Sequence, residues 1–381
     1  MSKNLNIIIN ALSKVIFPEK KKDIVSLEVI KNLSWQENKI SFDIALKNLN
    51  YPFKNSIKKA AINSISKTLS DKNIPACEIS INFISEKKRN VNFEKPKNQS
   101  LPNVKNIIAV ASGKGGVGKS TVAVNLAMAA AKEGYKVALL DADIFGPSIP
   151  KMFGVEEQKP LGKKVNGKDM INPVEKSGIK ILSLGFFVNP NDATIWRGAM
   201  ATSALKQMLL SGNWGEIDYM FIDLPPGTSD VHLTLVQTVS VTGAVIVSTP
   251  QNIALADAIK GISMFKNEKI NVPILGLIEN MAWFTPAELP NNKYYIFGKD
   301  GCKNLSNKLE IPFLGQIPLI QSIRENSDEG IPTVMDETKI EGKIFSEISK
   351  KLNIEISKRN LFLKETKKVE IDENADGCKT N

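Results

Sequence analysis

The sequence predicts an α/β protein: a doubly wound, mostly parallel sheet covered by helices, preceded by a small α+β domain. Three observations predict it. From about Asn106 onward, short continuous apolar runs alternate with helical stretches, the pattern of strands buried on both faces. The first of these runs leads into a glycine-rich loop and then straight into helix-forming sequence. Ahead of residue 86 the order is instead helix, strand, strand, helix, strand.

In the small domain, residues 1–86, Asn4 to Val15 has helical apolar spacing. Ile24 to Leu33 and Lys39 to Leu46 alternate like strands, with Gln36-Glu37-Asn38 as the turn between them. Phe53 to Leu69 is again helical, and Cys77 to Ile84 alternates. Residues 87–105 are polar, charged and broken by Pro96 and Pro102, which predicts a linker. The large domain is placed at 106–357. Its strands are expected at Ile107 to Ser112, Val137 to Leu140, Ile179 to Leu184, Tyr219 to Ile222, Ala244 to Ser248, Ile274 to Ile278 and Phe313 to Ile317. Asn166-Gly167 carries the turn signal of a hairpin near Val165–Lys168. Ile340 to Ile356 is a last amphipathic helix, and the polar residues 358–381 are expected to be disordered. No internal repeat is visible.

A length of 381 residues suits two domains and a tail, and 42% hydrophobic residues suits globular folding. The net charge of +10 raises nucleic acid or acidic membrane as partners, but the lysines are scattered among Asn, Ile and Glu. The densest basic run, Glu19-Lys20-Lys21-Lys22, reads as a solvated turn. No apolar run approaches the roughly 20 residues of a membrane span, and Met1-Ser2-Lys3-Asn4-Leu5-Asn6 lacks a signal-peptide pattern. The expectation is therefore a cytoplasmic protein with neither nucleic acid nor stable membrane association. Cys77, Cys302 and Cys378 are far apart, which fits a reducing compartment rather than a disulfide framework.

The glycine-rich loop is Gly113-Lys114-Gly115-Gly116-Val117-Gly118-Lys119-Ser120-Thr121, which matches the phosphate-binding pattern G-x-x-x-x-G-K-[ST] between a strand and a helix. Glycines allow backbone N–H groups to turn inward and ring a polyphosphate, and the helix N-terminus adds partial positive charge. Lys119 is expected to reach the β- and γ-phosphates, and the Ser120 hydroxyl to ligate Mg²⁺. Asp141 and Asp143 end the next strand, and Asp223 ends a later one, so all three point beyond carboxyl ends of strands, where ligands lie in such sheets. Asp223 has the position of a carboxylate that holds Mg²⁺ through water. Gly227 follows in Leu224-Pro225-Pro226-Gly227-Thr228 and is placed to offer its N–H to a γ-phosphate in a switch loop. Any one of these aspartates alone reads equally as a helix cap or turn residue. His232, the single histidine, reads as a packing or capping residue rather than a base.

The run Lys114-Gly115-Gly116-Val117-Gly118-Lys119-Ser120-Thr121 resembles the deviant P-loop of the MinD/ParA/nitrogenase-iron-protein group. That resemblance implies that Lys114 crosses a dimer interface to the partner's nucleotide, and that Asp143 orients the attacking water. It also implies that Asn280 reads adenine and that the loop Gly315-Gln316-Ile317-Pro318 covers the base, so that ATP is the nucleotide. Asp141-Ala142-Asp143-Ile144-Phe145-Gly146-Pro147-Ser148, Trp196-Arg197-Gly198, Asp223-Leu224-Pro225-Pro226-Gly227-Thr228, Glu279-Asn280-Met281 and Phe297-Gly298 narrow it further. They resemble the Mrp/ApbC-type iron–sulfur cluster carriers, and the small domain resembles the metal–sulfur-cluster-assembly domain fused ahead of them. The resemblance implies a slow, homodimeric ATPase that binds iron–sulfur clusters and delivers them to apoproteins, with iron–sulfur assembly proteins as further partners.

Two departures stand against it. The small domain lacks the cysteine common after its second strand; the segment reads Leu49-Asn50-Tyr51-Pro52-Phe53-Lys54. The large domain lacks the family's Cys-x-x-Cys, whose thiolates from two subunits hold the cluster. Pro286 and Leu289 stand where those cysteines would fall. Three readings stay open. Cys302 and Cys378 supply relocated ligands, although Cys302 reads equally as a small buried apolar residue. Alternatively, cluster ligation is lost and the dimer is a nucleotide-gated partner-binding ATPase, with Trp283 and Phe284 as anchors or as core. The third reading is a MinD/ParA-like positioning ATPase.

Overall fold

The computed structural model describes residues 2–18, 22–27, 29–36, 38–46, 51, 53–85, 100–143, 146–165, 167–187, 198–286, 288–364, 366 and 368–369. The Trp196-Arg197 pair, Ile144-Phe145, Asn166, most of the expected linker and the tail beyond 369 with Cys378 lie outside the described residues. The chain divides into two compact units, Met1–Lys95 with Asn353–Lys364, and Pro96–Leu352 with Glu365–Asn381.

In the first unit, helices Ser2–Leu12 and Lys54–Asp71 accompany a three-stranded sheet of Ile30–Gln36, Lys39–Leu46 and Glu78–Ser85. The first two strands are antiparallel, and the second and third are parallel. Helix Lys54–Asp71 buries Ile57, Ala61, Ile65 and Leu69, a stripe of i, i+4 steps that explains its apolar spacing. That stripe shares a core with Ile8, Leu12, Ile40, Phe42 and Ile44. The strand expected from Ile24 begins only at Ile30. Asp23 Oδ1 instead accepts from the N–H groups of Val25 (3.0 Å) and Ser26 (2.8 Å), which turns the chain, while Ile24 and Val25 still bury their side chains. Burial within a turn mimicked strand periodicity.

The second unit is built on an eight-stranded sheet. Its strands are β1 (Val104–Ala111), β2 (Val137–Asp141), β3 (Val174–Lys176), β4 (Ile179–Ser183), β5 (Ile217–Asp223), β6 (Gly243–Ser248), β7 (Ile274–Phe284) and β8 (Phe313–Leu319). The order across the sheet is β3-β4-β2-β5-β1-β6-β7-β8. Only the β3–β4 pair is antiparallel. Every predicted apolar run is a strand of this sheet. The short edge strand β3, with its Glu175 and Lys176, carries too little apolar sequence to have been foreseen. The hairpin forms as Leu161–Val165 against Lys168–Asn172. β7 runs past its expected end to Phe284, with a register break after Asn280 and a left-handed residue at Met281. The last helix continues through to Phe362.

The chain leaves β1 toward β2 on one side and later leaves β5 for β6 on the other, so the carboxyl end of β1 lies at a topological switch point. On one sheet face, Ile107, Ala109, Leu140, Ile222 and Ile246 share a core with Leu205, Leu235, Ile262 and Phe265 from the covering helices. Helix Lys119–Lys132 packs against β1, β2 and β5. It is tied further along the chain by Asn125, whose Oδ1 accepts from the Val334 N–H (2.8 Å), and by Lys132, whose Nζ donates to the carbonyls of Val334 (2.8 Å) and Met335 (3.3 Å).

Truncating the small unit's buried stripe tests its packing. Ile65→Ala should destabilise that unit by about 2–5 kcal/mol. A urea titration followed by far-ultraviolet circular dichroism will show a lowered midpoint; an unchanged midpoint would contradict the described core.

Candidate functional site

The phosphate loop is shaped by close contacts at two glycines. A Cβ on Gly113 would lie 2.1 Å from the Asp257 carbonyl carbon, so only glycine lets the loop pass helix Asn252–Lys266. Gly118 has φ +81°, and a Cβ there would lie 2.1 Å from Asn280 Nδ2. Its left-handed turn starts helix Lys119–Lys132, whose first N–H groups face back toward the loop. Asn280 Nδ2 donates to the Val117 carbonyl (2.8 Å) and so braces the loop from β7.

These elements enclose a cavity of about 200 Å³. Its lining runs from Lys114 to Thr121 and includes Asp143. Ser148, Met152 and Pro226 also line it and were not assigned as site residues from the sequence, although Ser148 and Pro226 lie inside motifs recognised there. Met152, from the short helix Ile149–Met152, gave no signal of its own.

Lys119 is the electrostatic centre. Its Nζ donates to Asp223 Oδ1 at 2.7 Å and to Ser120 Oγ at 3.3 Å, and lies 3.6 Å from Asp143 Oδ2. Lys119 and Asp223 are both buried. Burial raises the Asp223 carboxyl, and Lys119 and Ser120 oppose that shift. Asp223 Oδ2 is buried without a hydrogen-bond partner. Asp141, behind them, is pushed up to about 7 by burial and by the charge of Asp223, against hydrogen bonds from Ser183 and Ile149. Lys114 is exposed at the loop tip.

Two expected contacts are differently engaged. The Gly227 N–H donates to the Ser112 carbonyl (2.9 Å), so reaching a phosphate requires this loop to rotate. Asn280 gives one of its two amide N–H groups to Val117, and Pro318 is buried in β8; neither lines the phosphate cavity. His232 is a cap, as its position suggested: its Nδ1 accepts from the Ser229 N–H (3.2 Å), and burial pushes the ring down to about 4.

Comparisons with known proteins show the family. A family model described as NUBPL iron-transfer P-loop NTPase matches residues 103–353. The chain belongs to this family. A second model, described as iron–sulfur cluster assembly protein, matches residues 6–74. The iron–sulfur cluster carrier protein of Synechocystis sp. is 39% identical over 331 residues, covering 87% of this chain and 91% of its own length. That of Aquifex aeolicus is 49% identical over 258 residues, covering 67% and 69%. A nucleotide-binding protein of Archaeoglobus fulgidus, solved in complex with ADP, superposes with a TM-score of 0.53 at 39% identity, covering 61% of this chain and 90% of its own.

Cys302, the candidate cluster ligand, is fully buried in the core at the start of helix Gly301–Leu309. Its N–H donates to Glu279 Oε2 (2.7 Å), and its Sγ lies 3.8 Å from the Ser248 carbonyl. Burial and Glu279 push the thiol well above its ordinary range, the reverse of what a thiolate ligand needs. In this arrangement Cys302 packs as a small apolar residue, the other reading of its sequence position. Among the described residues, no group of three or more His, Cys, Asp or Glu side chains is placed to hold a metal ion.

The raised Asp141 carboxyl gives a pH signature. Below about pH 4 the group is protonated in both folded and unfolded chains. Between there and about pH 7 the folded chain alone keeps the proton, so stability falls as pH rises and levels off above. Thermal melts without nucleotide or Mg²⁺ should therefore show wild type losing stability relative to Asp141→Asn across that window. A constant difference would refute the buried, protonated Asp141.

Proposed function

We propose that this protein binds and hydrolyses ATP as a homodimer and acts in the delivery of iron–sulfur clusters to apoproteins. The observation that carries the hydrolytic part is the phosphate loop with Lys119 and Asp143 lining one cavity and Asp223 buried behind it as the partner of Lys119. The loop's N–H groups bind the polyphosphate. Lys119 leaves Asp223 for the β- and γ-phosphates, and Asp143 orients the attacking water. Asp223 and the Ser120 hydroxyl would then hold Mg²⁺. The unpartnered, buried Asp223 Oδ2 fits that use. Bound Mg²⁺ would neutralise charge on the phosphate oxygens. Exposed Lys114 would supply its cation to the nucleotide of a second copy. Adenine recognition by Asn280 through its remaining amide oxygen, with Pro318 near the base, completes the nucleotide reading.

The carrier part rests on family membership and on the curated relatives, and the cytoplasm is the compartment that fits it. Among the described residues no thiol is placed as an open ligand: Cys302 is buried, and Pro286 and Leu289 stand where the resemblance implies the Cys-x-x-Cys pair. No cluster ligands are therefore assigned. This specific mismatch supports a second reading, a nucleotide-gated ATPase that engages the same clients without ligating the cluster itself.

Lys119→Ala should abolish ATP binding in equilibrium dialysis; retained binding and turnover would overturn the loop assignment. Lys114→Ala should bind ATP normally yet lose at least about 100-fold in turnover; normal turnover would remove the cross-dimer role. Anaerobic reconstitution with iron and sulfide separates the two readings. Visible cluster absorbance and iron bound per dimer in wild type would support the carrier, and absorbance that disappears in Cys302→Ser would return Cys302 to the ligand set. No cluster, with ATP hydrolysis intact, would favour the second reading.

A further inference from the structure

One fully buried hydroxyl outside the phosphate cavity is joined to it by a continuous set of hydrogen bonds. Ser183 closes β4 and is 0% exposed. Its Oγ donates to Asp141 Oδ2 (2.9 Å) and accepts from the Gly185 N–H (3.0 Å). The same Asp141 carboxylate accepts from the backbone at two places. Oδ1 takes the Asp143 N–H (3.1 Å), and Oδ2 takes the Ile149 N–H (3.3 Å). Asp143 and Ser148, both in the cavity lining, lie between or at these anchors. The turn after Ser183 is also fitted to this stretch: a Cβ on Gly185 would lie 3.2 Å from Pro147 Cβ.

We propose that Ser183 is a positioning residue for hydrolysis: through Asp141 it fixes both ends of the stretch that carries Asp143 and Ser148. β4 needs no hydroxyl for its pairing with β2, since Ser183 and Asp141 are register partners at the end of a parallel ladder whose backbone pairing alanine would keep. A buried hydroxyl costs free energy unless its bonds are made, and here they are made to the group that orders the site. Asp141 does not line the cavity itself; it holds the backbone of Asp143, which does.

The kinetic arm of the test rests on the reading of this site as an ATPase. Ser183→Ala should lower kcat for ATP about ten-fold, with KM changed less than about two-fold. In an Asp143→Asn background the same substitution should change kcat little, because its effect passes through Asp143. Amide hydrogen exchange on the nucleotide-free protein gives a readout independent of turnover. The Asp143 and Ile149 amides should exchange about ten-fold faster in Ser183→Ala, with β1 amides unchanged. Unchanged exchange at Asp143 and Ile149 overturns the proposal whether or not the protein hydrolyses ATP, and so does a fully additive loss in the double variant. Wild type without turnover would overturn the ATPase reading instead, leaving the exchange data to decide the role of Ser183. If Ser183→Ala does not fold, Ser183→Cys, a near-isosteric and weaker donor, serves in both measurements.

Discussion

The buried ion pair of Lys119 with Asp223 is the constraint on which the second unit is organised. Two aspartates, Asp143 and Asp223, contact a single buried ammonium, and the carboxyl of a third, Asp141, is buried nearby. Burying charge is tolerated only where it is paired or neutralised. The fold meets that demand by giving Lys119 to Asp223 and Asp143 and by leaving Asp141 a carboxyl that keeps its proton to about 7. A polyphosphate adds several negative charges to this balance. It can enter only if Lys119 changes partner and another cation takes its place on Asp223. The proposed Mg²⁺ site on Asp223 would meet that charge balance.

Much of this was legible in the chain because its causes are local. A P-loop needs glycine where the backbone turns left-handed or passes another helix, and Gly118 and Gly113 show both demands. The parallel strands were legible because burial on both faces forces continuous apolar runs. Asp143 and Asp223 were legible because they end such strands. What stayed hidden depends on contacts between distant segments. Gly227 and Asn280 carry the expected residue types, but their N–H groups are held by Ser112 and Val117 carbonyls that no local pattern reveals. The Ile24–Leu27 turn was hidden because the Asp23 side chain, not backbone pairing, organises it.

Cys302 shows the same limit in chemical terms. Its sequence position, shortly after the loop where relatives place their cysteine pair, suggested a ligand. Its surroundings, a buried carboxylate and two backbone carbonyls, favour a protonated thiol. Family membership and ligand chemistry therefore point in different directions for this chain, and the nucleotide site is the part on which both agree.

The ties from Asn125 and Lys132 to Val334 and Met335 bear on where the nucleotide-binding unit can be cut. A fragment ending before Thr333 would take the Val334 N–H away from Asn125 Oδ1 and would strip the end of the P-loop helix of its lysine clasp. Sequence homology to the P-loop alone would place the boundary too early. The smallest autonomous piece must carry the segment beyond β8, so proteolytic nicking there would be felt some two hundred residues away along the chain, at the helix that presents the phosphate loop.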